Sequence, residues 1–198
     1  MTLEPVGTVL LAAGRGTRFG ASPKLLSRLD GKPLVRHAAE AAVAADLGPV
    51  VAVLGHAGDE VRAALAGLPL MLVENPAYAE GLSTSLRAGL GALPGPVPAA
   101  LVLLGDMPRV GPGLLRRLAE AFRRAAAVPS AVVPVQGGHR GNPVLLNRIL
   151  LADGLAGLTG DRGAGPLLAR RQDVLELPVD EPGVLIDVDT PAALSRLS

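Results

Sequence analysis

Cysteine is absent from the chain, and with it go disulfides, cysteine-bound zinc and thiol catalysis. Tryptophan is absent too, leaving Phe19, Phe122 and Tyr78 as the large aromatics. Three scattered rings give no stacking platform for single-stranded nucleic acid. Neither sign of charge is in excess: 19 basic and 18 acidic residues leave a net charge of +1. The cations are spread along the chain, so no polyanion-binding face is expected and nucleic acid is not an expected partner. Lysine is scarce, with Lys24 and Lys32 standing alone among arginines. No apolar run approaches the roughly 18 residues that a membrane span needs. The opening stretch Met1–Gly7 has no basic n-region and is read as the approach to a strand rather than a leader. The expectation is a cytoplasmic protein with no membrane partner.

What is present is apolar bulk in short runs. At 198 residues and 49% hydrophobic composition, one well-buried core is expected, and hence a single domain over 1–198. Strand-like runs fall at Val6–Leu11, Val50–Leu54, Leu70–Val73, Ala100–Leu104, Pro129–Val135 and Asp173–Leu177, with a further extended run at Val184–Val188. Between them lie helical stretches: Pro33–Ala45, a helix capped by Asp59 and running to about Ala66, one opening near Ser83, one from Pro112 to about Ala126, and one ending near Arg171. Strand and helix in alternation predict an α/β, Rossmann-like three-layer sandwich, a mostly parallel sheet with helices on both faces.

The most informative stretch follows the first strand: Leu11-Ala12-Ala13-Gly14-Arg15-Gly16-Thr17-Arg18-Phe19-Gly20, closed by Pro23-Lys24-Leu25. Glycines allow positive φ and let backbone N–H groups approach an anion, while Arg18 and Lys24 supply the charge a triphosphate needs. Two familiar phosphate loops fail here. Ala21 stands where a P-loop requires lysine, and Phe19 stands where the dinucleotide fingerprint requires its third glycine.

Further along, Ser83, Thr84 and Ser85 put N–H groups and hydroxyls at a helix start, where a base edge can be read. Asp106 lies just past the carboxyl end of a predicted central strand, where open α/β sheets bind ligands. The next helix begins several residues later, so Asp106 is read as a metal ligand before it is read as a cap. The segment Gly137-Gly138-His139-Arg140-Gly141-Asn142 is either a loose hairpin or a second ligand wall. Asp187 and Asp189 share a face if the last extended run is a strand. His56, with no other ligand-type residue near it, is read as a turn residue.

Taken together, these motifs resemble the molybdenum cofactor cytidylyltransferases of the MobA-like NTP transferase superfamily, whose fold is the nucleotide-diphospho-sugar transferase type. The matching stretches are Leu11-Ala12-Ala13-Gly14-x-Gly16-x-Arg18-x-Gly20 with Lys24, Glu80-Gly81-Leu82-Ser83-x-Ser85-Leu86, Gly105-Asp106-Met107-Pro108, Gly141-Asn142-Pro143-Val144, Gly160-Asp161-x-Gly163-Ala164 and Asp187-x-Asp189-Thr190-Pro191.

The resemblance implies a nucleotide site of Leu11, Ala12, Ala13, Gly14, Gly16, Arg18, Lys24, Gly81, Ser85 and Asp106. It implies Mg²⁺ on Asp106 and Asp189, and an acceptor site near Asn142 and Asp161. The N-terminal part would bind the nucleotide and the C-terminal part the acceptor. Ala12-Ala13-Gly14 resembles the CTP-using members, where guanylyltransferases usually carry Ala-Gly-Gly. Asn142 stands where members often have His, and Gly165 where they often have Arg, both on the acceptor side.

The implied reaction is transfer of CMP from CTP to the terminal phosphate of molybdopterin, releasing pyrophosphate, with Arg18, Lys24 and Asp106 as the catalytic groups. A molybdenum hydroxylase or its maturation factor is the implied protein partner. The alternatives are a guanylyltransferase, a sugar- or alcohol-phosphate nucleotidyltransferase of the same fold, and a non-catalytic protein that delivers the cofactor. A phosphate nucleophile is already anionic near neutral pH, so the lack of any Ser-His pattern is no obstacle.

Overall fold

The computed structural model describes residues 5–19 and 23–197, with the side chain of Arg18 also outside the description. Strand β1 (Val6–Ala12) is buried at every position, as a strand covered on both faces must be. The chain then passes through the glycine loop into a small hairpin, β2 (Arg28–Leu29) and β3 (Lys32–Pro33). At its turn Asp30 and Gly31 take φ of 51° and 78°, the double positive φ that suits a two-residue hairpin. There follow α1 (Leu34–Ala45), β4 (Val50–Leu54), α2 (Gly58–Ala64), β5 (Met71–Glu74), α3 (Leu82–Ala92), β6 (Ala99–Leu104) and α4 (Pro112–Arg124). The remainder is β7 (Ala131–Gln136), β8 (His139–Arg140), β9 (Val144–Asn147), α5 (Ala152–Ala156), α6 (Gly165–Leu168), β10 (Val174–Pro178) and α7 (Pro191–Ser195).

The main sheet runs in the order β10-β7-β9-β6-β1-β4-β5, with β8 paired to β7. All neighbours are parallel except around β8 and β9, which are antiparallel to the strands they meet. From β1 the chain builds outward through β4 and β5, then returns to add β6 on the other flank. That reversal makes a crevice at the carboxyl ends of β1 and β6, the usual ligand position in open α/β sheets.

Both faces are covered, as alternation predicts. Leu10 and Ala12 of β1 face a core shared with α1, α2 and α4, while Val9 and Leu11 face one shared with α3, α5 and α6. Fully buried leucines such as Leu10, Leu101 and Leu103 anchor the central strands; truncating one to alanine typically costs about 2–5 kcal/mol. Among the described residues no helix is long and apolar enough to cross a membrane.

The structure corrects several local expectations. Asp59 does not cap α2; Ala57, at φ 53°, takes the cap position and Asp59 sits in the first turn, where its charge still complements the helix dipole. The run at 184–188 is not a strand. Pro182–Leu185 form a 3-10 turn, and the backbone here bonds to loops: Asn142 N–H donates to Val184 O, and Val188 N–H donates to Asp106 O. The segment Gly137–Asn142 does form a hairpin, turning at Gly137 and Gly138, which both have positive φ. A hairpin, unlike a helical crossover, reverses the chain, and so β9 enters the sheet antiparallel between β6 and β7. The helix expected to reach Arg171 shrinks to α6, with the short α5 before it.

Candidate functional site

A cleft of about 470 Å³ opens at the crevice between β1 and β6. Its walls are Ala13 to Thr17 of the glycine loop, Tyr78 and Ala79, the start of α3 at Gly81, Leu82 and Ser85, and Asp161; Lys24 and Asp106 lie on its floor. Gly16 has φ +56°, and a Cβ there would fall 2.8 Å from Lys24 Cβ. The loop thus needs glycine twice over, for its backbone conformation and for the close passage of Lys24.

Lys24 Nζ donates to Asp106 Oδ2 at 2.6 Å and to Asp189 Oδ1 at 2.9 Å. These residues come from a 3-10 turn after the glycine loop, from the turn two residues beyond β6, and from the approach to α7. The cluster is largely desolvated, with the side chains of Lys24 and Asp106 only 12% and 16% exposed. Burial alone would lower the pKa of Lys24, but the charge and hydrogen bond of Asp106, joined by those of Asp189, outweigh it. The ammonium is therefore held protonated above its ordinary 10.5.

The cluster is held by packing from the far end of the chain. Phe19, Leu29, Leu34 and Val188 form a small separate core against which Leu194 and Leu197 pack. Val188 N–H donates to Asp106 O at 3.0 Å, so the residue just before Asp189 is tied to the backbone of its partner acid. Thr190 caps α7, its hydroxyl oxygen accepting from Ala193 N–H at 3.1 Å.

Asp106 Oδ1 is buried without a hydrogen-bond partner among the described residues. An orphaned buried carboxylate oxygen is costly, and a cation at Asp106 and Asp189 would satisfy it. No group of three or more His, Asp or Glu is placed to hold a metal among the described residues. A cation here would complete its shell with phosphate oxygens and water, as Mg²⁺ commonly does.

The α3 end of the cleft is built on contact between α3 and the 158–163 loop. Gly81, at φ +120°, would place a Cβ 2.2 Å from the carbonyl carbon of Gly160, so a side chain is barred there. Ser83 N–H donates to Gly160 O at 3.1 Å, and Arg87 donates to Leu158 O. These contacts hold Asp161 at the cleft wall. Ser83, Thr84 and Ser85, read from the sequence as a helix start, lie inside the first turn of α3 and make no side-chain cap.

A second cavity, of about 340 Å³, adjoins the first and shares Leu11, Leu82 and Leu104 with it. It runs between β9 and the residues Gly163 to Leu168, and Arg140 and Asn142 are its polar side chains. Arg140 is paired with Glu176 at 2.7 Å.

The structure therefore gathers Leu11, Ala13, Gly14, Gly16, Lys24, Gly81, Ser85 and Asp106 around one cleft, with Asp189 bonded to its floor. Ala12 is not among them; its side chain is fully buried in the core beneath α1. Arg18 falls outside the described side chains, and Gly20 outside the described residues. Asn142 and Asp161, paired by the sequence reading, separate: Asp161 lines the first cleft and Asn142 the second. Arg15, Thr17 and Tyr78 line the cleft without having been singled out. Arg15 carried a signal as a cation between two glycines, whereas Tyr78 is brought in by the turn after β5. His56 is a turn residue as expected, its ring 6.3 Å from that of Tyr78.

Residues 8–174 match the family model described as the MobA-like NTP transferase domain. The crystal structure of Rv0371c from Mycobacterium tuberculosis H37Rv is similar at 31% identity and TM-score 0.83, over 100% of this chain and 98% of that one. A second structure of that protein, titled a complex with manganese, gives 30% identity and TM-score 0.79 over 98% and 97%. A nucleotidyl transferase from Methanothermobacter thermautotroptrophicus, Mth528, is 28% identical with TM-score 0.83, over 98% of this chain and 95% of that one. Among curated relatives, the bifunctional protein GlmU of Kineococcus radiotolerans is 38% identical over 159 residues, 79% of this chain but 31% of the relative. The chain thus spans about a third of that relative's length. With the family match covering most of its length and the fold following nucleotidyltransferase structures throughout, this chain belongs to the MobA-like NTP transferase domain family.

Proposed function

We propose that the protein transfers CMP from CTP to the terminal phosphate of a molybdopterin-type acceptor, releasing pyrophosphate. The observation that carries the proposal is the bonding of Lys24 to Asp106 and Asp189 directly beneath a glycine loop at the switch point of the sheet. In this reading the first cleft takes the nucleotide, with the triphosphate along Gly14 to Thr17 and the base towards Ser85. The adjoining cavity takes the acceptor.

The acceptor's phosphate oxygen forms a bond to the α-phosphorus as the bond from that phosphorus to the bridging oxygen breaks, and pyrophosphate leaves with the electron pair. No side chain has to take a proton from an anionic nucleophile. The chain's work is alignment and charge. Backbone N–H groups of the glycine loop and the ammonium of Lys24 oppose charge on the phosphates, and the desolvated floor strengthens each such contact. Asp106 and Asp189 would hold Mg²⁺, which when bound supplies charge neutralisation at the phosphates. The manganese complex of the 30%-identical Rv0371c structure supports a divalent site in this fold. Arg18 belongs to the same proposal as a phosphate contact.

A second reading keeps the transfer but changes the nucleotide and takes a sugar or alcohol phosphate. Its support is that the curated relatives bear another name, bifunctional protein GlmU, than the MobA-like family model. Against it, the second cavity offers a polyhydroxylated body only Arg140, already paired with Glu176, and Asn142 among an otherwise apolar lining. Pyrophosphate release with Mg²⁺, comparing CTP, GTP, UTP and ATP with molybdopterin cofactor or with sugar phosphates, decides between them. Release with CTP and molybdopterin cofactor supports the first reading; release with a sugar phosphate alone overturns it.

A further inference from the structure

Asn75 sits in the turn after β5, is 5% exposed, and does not line the cleft. It nevertheless determines how the cleft wall is presented. Its Oδ1 accepts from Ala77 N–H at 3.1 Å. A backbone N–H can only donate, so this bond fixes which end of the amide is oxygen. The other end, Nδ2, gives one N–H to Thr84 Oγ1 at 2.8 Å and one to Ser85 Oγ at 3.0 Å. Thr84 directs its own proton at the carbonyl oxygens of Ala77 and Gly81, 3.0 and 2.8 Å away, and these can only accept. Each donor and acceptor in the network is thereby assigned from backbone groups whose roles are fixed.

One proton is left over. Ser85 Oγ accepts from Asn75, and Ser85 lines the cleft while being 4% exposed. The geometry points to Asn75 as a positioning residue that sets the polarity of this wall. By giving Ser85 Oγ a bond to accept, it keeps the hydroxyl's own proton available to the ligand. The wall then offers a proton to an acceptor atom, a carbonyl oxygen or unprotonated ring nitrogen on a nucleobase edge. This inference rests on the nucleotide reading of the cleft. Replacing Asn75 by Asp would invert the wall: a carboxylate has no N–H to give, so Ser85 would turn its proton to residue 75 and offer lone pairs to the ligand.

The test is calorimetric titration of CTP, UTP, GTP, ATP and inorganic tripolyphosphate, each with Mg²⁺, into the full chain. The proteins are wild type, Ser85→Ala, Asn75→Asp, Asn75→Ala and the double variant Ser85→Ala/Asn75→Asp. For the nucleotide that wild type binds best, Ser85→Ala and Asn75→Asp should each weaken binding about tenfold, the scale of one lost hydrogen bond to a desolvated partner. Tripolyphosphate should bind as in wild type, and the double variant should bind the nucleotide no more weakly than Ser85→Ala alone. Asn75→Ala should show a smaller loss that also vanishes without Ser85, which keeps the test valid if the buried carboxylate of Asn75→Asp prevents folding. Equal weakening of tripolyphosphate, or full additivity with Ser85→Ala, would make Asn75 a mere support of the turn and overturn the inference. Should wild type bind no nucleotide more tightly than tripolyphosphate, the nucleotide reading itself fails, and the inference falls with it.

Discussion

Lys24 and Asp106 are 82 residues apart in the chain, and Nζ of one lies 2.6 Å from Oδ2 of the other. Asp189, 165 residues from Lys24, closes the same cluster. A buried ammonium between two carboxylates is weak evidence for stability, because desolvation offsets much of the attraction. With an orphaned oxygen left on Asp106, the cluster reads as one built for a ligand.

Lys24→Ala and Asp106→Ala should each lower turnover about 10²–10³-fold, the usual loss when one charge-stabilising donor is removed. Pyrophosphate release at saturating nucleotide measures this. Near-normal turnover of Asp106→Ala would remove that carboxylate from the transfer.

Divalent cation should stabilise Lys24→Ala more than it stabilises wild type. Without the ammonium, two partly desolvated carboxylates face each other, and a bound cation relieves them by mass action. Melting temperatures with and without Mg²⁺, each compared with chelator, measure the difference. Equal shifts in both proteins would place any cation elsewhere. Chelator should also abolish pyrophosphate release.

Gly81→Ala should destabilise the fold by about 1–3 kcal/mol and lower activity, since a left-handed backbone conformation strains any side chain. The added Cβ would meet backbone of Gly160 and Asp161 rather than a yielding side chain, so the loop carrying Asp161 must move. Denaturant unfolding and nucleotide affinity report the two effects. An unchanged unfolding midpoint would show that the loop yields freely.

Asp173 tests the opposite edge of the sheet. The Arg171 guanidinium, and with it the Ser130 hydroxyl, holds its carboxyl at about 2, below the ordinary 3.8. A folded pKa below the unfolded one contributes stability that is fully present above about pH 4 and lost as pH falls towards 2. The stability gap between wild type and Asp173→Asn should therefore close across that interval in acid unfolding. A gap that persists at pH 2 would mean the hydrogen-bonding shape, not the charge, is what matters.

Much of this was legible in the sequence because it rests on local rules. β4 falls at Val50–Leu54 as read, since an apolar run bounded by Gly-Pro and Gly has no other comfortable state. Asp106 was picked out because its place after a central strand is a matter of connectivity. The failures came where distant contacts compete with local ones. The run at 184–188 has strand composition, but its backbone groups bond to Asp106 and Asn142. The loose hairpin, one of the two readings of the segment before β9, does form, and it is what turns β9 antiparallel. Asn75 is not legible as part of the site, since nothing local places it against Thr84 and Ser85.

Hydrophobic period, glycine conformation and the order of strands are properties of short stretches, and so the layered α/β order and the glycine loop could be read from residues alone. It takes the tertiary fold to bring Lys24 to both acids, to bury Ala12 beneath α1 while Ala13 packs in the opposite core at the edge of the cleft, and to assign Asp161 and Asn142 to different cavities. Those outcomes depend on strand register and on the packing of the 188–197 segment beneath the loop. They are set by which burial and hydrogen bonding satisfy the whole chain at once.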